Sequence, residues 1–292
     1  MSTRTLTFTN SRGGQIEFGN FFPYVMETVE GLSNKPSTVQ TSKGFGQHGE
    51  YYFGTLDEMR VINATIKYNY ASLAEDKTRQ REILNVLNPR TGLGTLVYED
   101  EYSKYTIDAL VVQSPTIYPL KNIYTGKGFD VIFLCPKPDW LNFNPTQIKV
   151  VGLTGGLSFP LEFPISFADQ GDNTVIEYEG DNPSPMIFEF RVASGGSTAV
   201  DPRIEDDDGN FIEVNRTINT GEKIIIDTNP DAPTIKFVDT GGVESDAWTD
   251  LVVGSTISAF QLEPGTNTLL FSATSGDPEL FITYTEHYAG IK

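Results

Sequence analysis

The stretch FDVIFLCPKPDW, from Phe129 to Trp140, marks the point where the chain changes character. Apolar side chains dominate its first half, which predicts a strand over Phe129–Leu134. Prolines follow at once, and residues 115–145 contain five of the 17 prolines in the chain. Because proline cannot donate a hydrogen bond to a sheet, this density interrupts the succession of strands. We therefore predict two β-rich domains, residues 1–142 and 143–292.

The charge of the chain divides at the same place. The 292 residues carry 21 basic and 39 acidic side chains, a net charge of −18. Residues 1–140 are nearly balanced at −1, whereas residues 141–292 hold 7 basic and 24 acidic side chains and carry −17. Binding to phosphates needs a basic surface, so the second half excludes a nucleic-acid partner.

Two further classes are excluded by simple patterns. No apolar run approaches the ~18 residues of a membrane-spanning helix, so we expect no membrane partner. Residues 1–8 lack the apolar segment of a secretory signal. The single cysteine, Cys135, excludes an internal disulfide framework and is typical of synthesis in a reducing compartment.

Local patterns predict a mainly β chain with one α-helix. The helix covers Leu73–Leu87 and ends before Asn88-Pro89. Within the second half, Met186 to Val192 alternate apolar and polar side chains, which is typical of a strand with one buried face. We predict strands at Leu6–Thr9, Val61–Tyr68, Tyr105–Val112, Phe129–Leu134, Thr174–Tyr178, Met186–Val192, Lys223–Asp227, Thr234–Val238, Thr268–Ser272 and Glu279–Thr285.

Two motifs suggest ligand binding. Residues 44–49 spell G-x-G-x-x-G, but Thr38–Ser42 is a poor strand and Glu50–Gly54 a poor helix start, so we interpret the motif as a glycine-rich loop. The acidic run from Ile204 to Asn210 lacks the ligand pattern of an EF-hand, which would need an acid at Ile204 and a Glu at Asn215. A solvated hairpin turn is the preferred interpretation, and another oxygen-ligand cation site is the alternative.

Residues suited to catalysis are few. The chain has two histidines, His48 and His287, and no G-x-S-x-G motif, while Cys135 lies in an apolar run that predicts burial. Trp140 and Trp248 are assigned to the core or an interface in preference to a sugar site. We expect no enzyme activity, no metal and no cofactor. A hydrolase with paired acids stays an alternative that spacing cannot test.

The order of the motifs in the first half resembles the distal tail proteins of long-tailed, non-contractile bacteriophages, the siphovirus-type tail component family. The resemblance rests on a hairpin near the start, on Met59-Arg60-Val-Ile62, on Gly94-Thr-Leu96 and on a strand that ends in C-P-x-P-x-W. It marks these family-motif residues: Arg60, Cys135, Pro136, Pro138 and Trp140.

The second half resembles the same family. Gly171-Asp172 precedes Asn182–Phe190, the family's entry to a galectin-like sandwich, and Leu262–Leu269 and Tyr284–Ile291 are similar to its later segments. The corresponding motif residues are Gly171, Asp172, Pro264, Gly265, Asn267 and Tyr288.

The resemblance implies a structural role. It implies an N-terminal β-rich belt domain with one helix, followed by a C-terminal galectin-like antiparallel β-sandwich. Copies of the family assemble into a hexameric ring through the belt, whose open strand edges are covered by neighbours. The implied partners are the tail tube protein, the tail fibre or tail-associated lysin and, at the outer domains, receptor-binding proteins. The implied location is the virion tail tip, after assembly in the host bacterial cytoplasm. A carbohydrate-binding β-sandwich for host attachment is the alternative.

Overall fold

The computed structural model describes residues 4–120, 126–151 and 174–291. The chain divides into two compact units, the first made of Met1–Phe143 with Tyr288–Lys292 and the second of Asn144–His287. The division therefore falls one residue after the boundary proposed from prolines and charge. The return of residues 288–292 to the first unit has no counterpart in those patterns.

The first unit is built from β1 to β11, the helix α1 and the short final strand β24. Their bounds are β1 Thr5–Thr9, β2 Gln15–Phe18, β3 Tyr24–Glu30, β4 Ser37–Ser42, β5 Tyr51–Asp57, β6 Arg60–Asn69, α1 Leu73–Val86, β7 Gly94–Glu99, β8 Lys104–Val111, β9 Ile117–Pro119, β10 Gly126–Cys135, β11 Trp140–Asn142 and, at the junction of the units, β24 His287–Tyr288.

The main sheet of the first unit curves back on itself. Its strand order is β2-β1-β7-β8-β10-β6-β3. The two ends of that order meet at Gly19, whose N–H donates to the carbonyl of Tyr24 (3.0 Å) and whose carbonyl accepts from the N–H of Met26 (2.8 Å). This isolated bridge brings the two ends of the order together, so the sheet curls into a barrel-like shape that we call the barrel.

Aromatic rings fill the first unit. Phe18 and Phe129 meet edge to face with centroids 6.1 Å apart, and Tyr24 and Tyr68 do so at 6.2 Å. All four are buried, as are Phe8 and Phe133. Paired edge-to-face rings add about 0.5–1.5 kcal/mol each to the burial term, so this core stabilises the curvature of the sheet.

Helix α1 is anchored mainly by polar contacts. It begins at Ser72, whose hydroxyl accepts from the N–H of Glu75 (3.2 Å). Ile83 and Val86 are its buried apolar residues. Its polar anchor is Asp76, a buried carboxylate that accepts from Lys127 Nζ (2.6 Å), Gln80 Nε2 (2.8 Å) and the hydroxyl of Tyr68 (3.2 Å).

The second unit is a sandwich of two antiparallel sheets. One has the order β12-β23-β14-β18-β19-β20 with β21 beside β14, and the other has β13-β22-β15-β16 with β17 beside β15. The bounds are β12 Thr146–Val151, β13 Thr174–Tyr178, β14 Ser184–Val192, β15 Thr198–Asp206, β16 Phe211–Glu213, β17 Thr217–Asn219, β18 Lys223–Asp227, β19 Thr234–Val238, β20 Glu244–Asp246, β21 Gln261–Leu262, β22 Gly265–Gly276 and β23 Pro278–Tyr284.

The inner face of the sandwich follows the predicted alternation. Met186, Phe188 and Phe190 of β14 are buried. Phe190 stacks on Phe271 of the opposite sheet with centroids 5.7 Å apart, so the two sheets share one apolar core.

The ten predicted strands and the helix are confirmed. The expectation that Thr38–Ser42 is a poor strand is wrong, because it forms β4. A strand with both faces in solvent has no apolar alternation to reveal it. Strand β15 was also missed, since Pro202 and four charged residues obscure its pattern.

The helix anchor predicts an acid-sensitive first unit. The bonds from Lys127, Gln80 and Tyr68 outweigh burial and hold the pKa of Asp76 below its usual value. Its stabilisation is therefore present above the unfolded pKa of about 3.9 and is lost as the pH falls through the folded value. Asp76→Asn should lower the free energy of unfolding by about 1–3 kcal/mol at pH 7, and by less near pH 3.

Urea unfolding of the two proteins, followed by Trp140 fluorescence with Trp248 replaced by Phe, checks this prediction. Glu99→Gln is the matched control, because the Glu99–Lys104 pair is largely exposed and its loss should change little. A deficit of the same size at both pH values would contradict the assignment.

Candidate functional site

The family-motif residue Arg60 lies at the centre of a buried cluster, which we call the Arg60 cluster. Its side chain has no exposed surface. Nε donates to the carbonyl of Pro138 at 2.6 Å, and Nη1 donates to three carbonyls at 2.8–2.9 Å. The three carbonyls that Nη1 binds are those of Gly31, Leu32 and Asn34. Nη2 donates to the carbonyl of Ala289.

Two further motif residues, Cys135 and Trp140, lie beside this cation, and Tyr288 contacts a neighbouring ring. Cys135 is opposite Arg60 in the register of β6 and β10, and burial raises the pKa of its thiol to about 12. Trp140 is fully buried and donates from Nε1 to the carbonyl of Leu32 (3.1 Å). Tyr288 packs on Tyr105 with centroids 5.3 Å apart. Pro136, at the bend that follows, is exposed.

The chain segment after Tyr288 completes the cluster. The N–H of Ile291 donates to the carbonyl of Leu32 (3.2 Å), and Ile291 is buried in the core of the first unit. A side chain at Gly290 would place its Cβ 2.5 Å from the carbonyl oxygen of Ser33, so only glycine fits there. The Arg60 cluster thus joins chain segments 31–34, 135–140 and 288–291 with donors and acceptors that already satisfy one another.

The motif residues of the second unit lie apart and shape a turn. Asn267 accepts from the N–H of Glu263 (2.9 Å) and donates to the carbonyls of Glu263 (2.8 Å) and Gly265 (3.0 Å). Gly265 has φ +104°, which a side chain would strain. Pro264 precedes it in the same turn. Gly171 and Asp172 lie outside the described residues.

The acidic run forms the hairpin turn that we preferred. Asp206 accepts from the backbone N–H groups of Asp208 (3.0 Å) and Asn210 (2.8 Å), and from Asn210 Nδ2 (2.9 Å). A cleft of about 250 Å³ lies beside it, lined in part by Glu263 and Asn267. Within residues 4–120, 126–151 and 174–291, no three His, Cys, Asp or Glu side chains are grouped to hold a metal ion.

The G-x-G-x-x-G motif joins β4 to β5, which confirms the interpretation as a glycine-rich loop. Gly46 and Gly49 have φ of +74° and +80°. Strand β5 follows the motif in the place where a dinucleotide site needs a helix.

The hairpin formed by β4 and β5, residues 37–57, is the most unusual surface of the first unit, and we call it the arm. Its two strands form a separate two-stranded sheet. Tyr52 and Phe53 are 66% and 71% exposed. The other large apolar side chains exposed on the arm are Val39, Phe45, Tyr51 and Leu56. A lone two-stranded ribbon is marginally stable in water, and such an apolar surface marks an interaction site.

Sequence reasoning missed the arm, although one signal was available. Tyr51, Tyr52 and Phe53 are consecutive aromatic residues. Successive side chains of a strand point to opposite faces, so three consecutive aromatic residues place rings on both faces. Such a strand has either both faces buried or both faces exposed. The polar residues of β4 favour the second case.

In the described part of the chain, no helix combines the length and the apolar character that crossing a bilayer requires.

Comparisons with known proteins cover both units. Residues 11–135 match the family model of the phage tail protein RIFT-related domain, and residues 179–288 match that of the siphovirus-type tail component, C-terminal domain. The solved Dit protein of phage SPP1, described as a paradigm of the hub adsorption apparatus in phages that infect Gram-positive bacteria, is 15% identical with a TM-score of 0.69. That match covers 97% of this chain and 98% of the Dit chain.

Two structures of the phage P2 baseplate in its activated conformation, one with calcium and one with strontium, are also similar. Each is 14% identical with a TM-score of 0.50, and each match covers 96% of this chain and 98% of the other. At these identities the likeness shows the shared fold. No curated protein sequence matches the chain.

The backbone carbonyls around Arg60 predict that a lysine at this position cannot make the same hydrogen bonds. A lysine has three donors on one atom and cannot reach carbonyls on three segments. Arg60→Lys should lower the free energy of unfolding of the first unit by about 2–4 kcal/mol, because buried carbonyls lose their donors. Urea unfolding followed by Trp140 fluorescence measures this change. An unchanged midpoint would show that water replaces the guanidinium without cost.

The thiol of Cys135 gives an independent probe of the same cluster. With a pKa of about 12, roughly one thiol in 10⁴ is ionised at pH 8, and the native protein should resist thiol reagents. Arg60→Lys should speed labelling, because the cluster opens more often. Urea-unfolded protein provides the fully reactive reference. Rapid stoichiometric labelling of the native protein would contradict the buried placement.

Proposed function

This chain belongs to the siphovirus-type phage tail component family, and we propose from that membership how it works in the tail. It is a structural protein of the virion and a component of the baseplate hub at the tail tip. We propose that the first unit is the ring-forming belt domain and that the second is the galectin-like sandwich. The family-motif residues of the Arg60 cluster would then serve to build the belt.

We infer that copies of the chain assemble into a hexameric ring through their first units. The arm carries this inference, since its two strands pair only with each other among the described residues and expose six large apolar side chains. A second copy of the chain is the occupant that a ring requires, because contacts between unlike surfaces close into rings when the rotation allows.

The arm has enough apolar surface for this contact. Burying a large apolar side chain stabilises by about 1.5–3 kcal/mol, and six are exposed on the arm. Their sum is of the same order as the about 4–15 kcal/mol that association costs in lost freedom. Each copy contributes one arm, so a closed ring buries every arm once.

The proposed partners follow from the position of a hub. The ring would join the tail tube protein above to the tail fibre or tail-associated lysin below, with receptor-binding proteins at the outer domains. The solved relatives are a hub protein and a baseplate, which supports this position. We infer that the protein works by assembly and mechanical coupling without turnover, since the buried Arg60 and Cys135 have structural surroundings.

The acidic second unit fits an outward-facing role. Six basic side chains of its described residues form ion pairs with acids: Lys149, Arg191, Arg203, Arg216, Lys223 and Lys236. Acidic side chains outnumber these basic ones in the described part of the unit. Repulsion would keep neighbouring sandwiches apart, and a partner that binds them would need a basic patch. Such binding should weaken as salt is raised through the physiological range.

The ring proposal predicts that the arm controls the oligomeric state. The wild-type protein should form a defined oligomer, and the triple variant Tyr51→Ser, Tyr52→Ser, Phe53→Ser should remain monomeric, because its apolar contact is lost. The barrel should keep its stability, since these side chains are exposed. Size-exclusion chromatography with light scattering measures the mass of both proteins.

Val253→Ser is the control, because Val253 is an apolar side chain that is exposed on the second unit, away from the arm. It should assemble like the wild type. A wild-type protein that stays strictly monomeric across micromolar concentrations would count against the ring, as would a triple variant that still assembles.

A further inference from the structure

The chain enters the arm at Lys35 and Pro36 and leaves it at Glu58, and we call these three residues the arm root. At the root the N–H of Glu58 donates to the carbonyl of Pro36 (2.9 Å), and Ser37 is opposite Asp57 in the register of β4 and β5. These contacts join the two strands of the arm to each other. They do not fix the angle at which the arm leaves the barrel.

The ammonium group of Lys35 links the arm to the body of the unit. Lys35 Nζ is 2.5 Å from Asp57 Oδ2 at the end of β5 and 2.7 Å from Asp139 Oδ1 in the loop after β10. The Lys35 side chain is 12% exposed and that of Asp139 is 20% exposed. Although burial alone would lower the pKa of Lys35, its bonds to Asp139 and Asp57 raise it, so the group stays charged.

The Arg60 cluster holds both supports of this link. Arg60 binds the carbonyl of Asn34, one residue before Lys35, and that of Pro138, one residue before Asp139. The cation of Lys35 therefore bridges the arm and residues that adjoin the Arg60 cluster. Asp57, half exposed, is the member of the link that moves with the arm.

Because the arm is long, a small change of its angle at the root displaces its tip by a large distance. Seven residues of β5 extend about 20 Å at roughly 3.3 Å per residue, so a swing of about 15° displaces the tip by about 5 Å. A packed apolar contact does not tolerate such a displacement. An arm that swings freely also loses more freedom when it docks, which weakens association.

We propose that Lys35 is the positioning residue of the arm, which holds it at the angle that a neighbouring copy requires for the ring to close. This inference rests on the proposed ring. It assigns Lys35, Asp57 and Asp139 to assembly, although none of them needs to touch the neighbour. Without the link, copies should associate weakly and at varied angles, which gives open or irregular chains in place of closed rings.

The test compares Lys35→Met with wild type in two measurements. Hydrogen exchange in dilute, monomeric protein should show amides of the arm exchanging at least tenfold faster in the variant, with the barrel amides unchanged. Light scattering and electron microscopy at higher concentration should show self-association at least tenfold weaker and few closed rings. Asp139→Asn should reproduce both effects, and Lys35→Arg should restore assembly because it keeps the cation.

Lys236→Met is the matched control, since it removes an ion pair of similar length, 2.7 Å to Glu244, on the second unit. It should leave arm exchange and assembly unchanged. Arm exchange and ring closure in Lys35→Met equal to wild type would overturn the proposal while leaving the ring intact. If the wild type forms no ring, the proposed function fails, and faster arm exchange in the variant alone still decides whether Lys35 positions the arm.

Discussion

The first unit depends on one buried cation satisfied by backbone oxygens. Removing a guanidinium from water is expensive, and the cost is offset only when nearly all of its donors are bonded. Arg60 meets this condition with carbonyls from three separate chain segments. Each carbonyl in turn gains a donor that no strand supplies. The Arg60 cluster therefore specifies which loops meet, whereas the apolar core specifies only that strands pack.

The first unit places its buried core and its exposed apolar surface in different parts, the main sheet and the arm. The strands of its main sheet pair in a curved row and bury aromatic side chains such as Phe18 and Phe129. In the described residues the two strands of the arm pair only with each other and expose their aromatic rings. A protein that must assemble needs such a surface, and confining it to one hairpin limits the risk of unspecific aggregation. Lys35 connects the two regions, so that the folded body can hold the apolar arm in a fixed direction.

The sequence predicts the parts of this fold whose pattern is local. Phe129–Cys135 and Met186–Val192 alternate because one face of each strand is buried, and that signal lies within a few residues. The family motif identifies Arg60, but its acceptors lie from 26 to 229 residues away, and no local pattern reports them. The arm is not predicted for a different reason. Neither of its faces is buried within one chain, so apolar and polar residues do not alternate along its strands.

The return of the chain to the first unit has a consequence for the order of folding. The bond from Arg60 to Ala289 closes a loop of 229 residues, and closing a flexible coil of that length is entropically costly and slow. Within the second unit, however, β12 pairs with β23, so its first and last long strands are neighbours. Once this unit has folded, the coil is replaced by a compact body whose ends are already close. We therefore expect the second unit to fold early and the shell of Arg60 to be completed last.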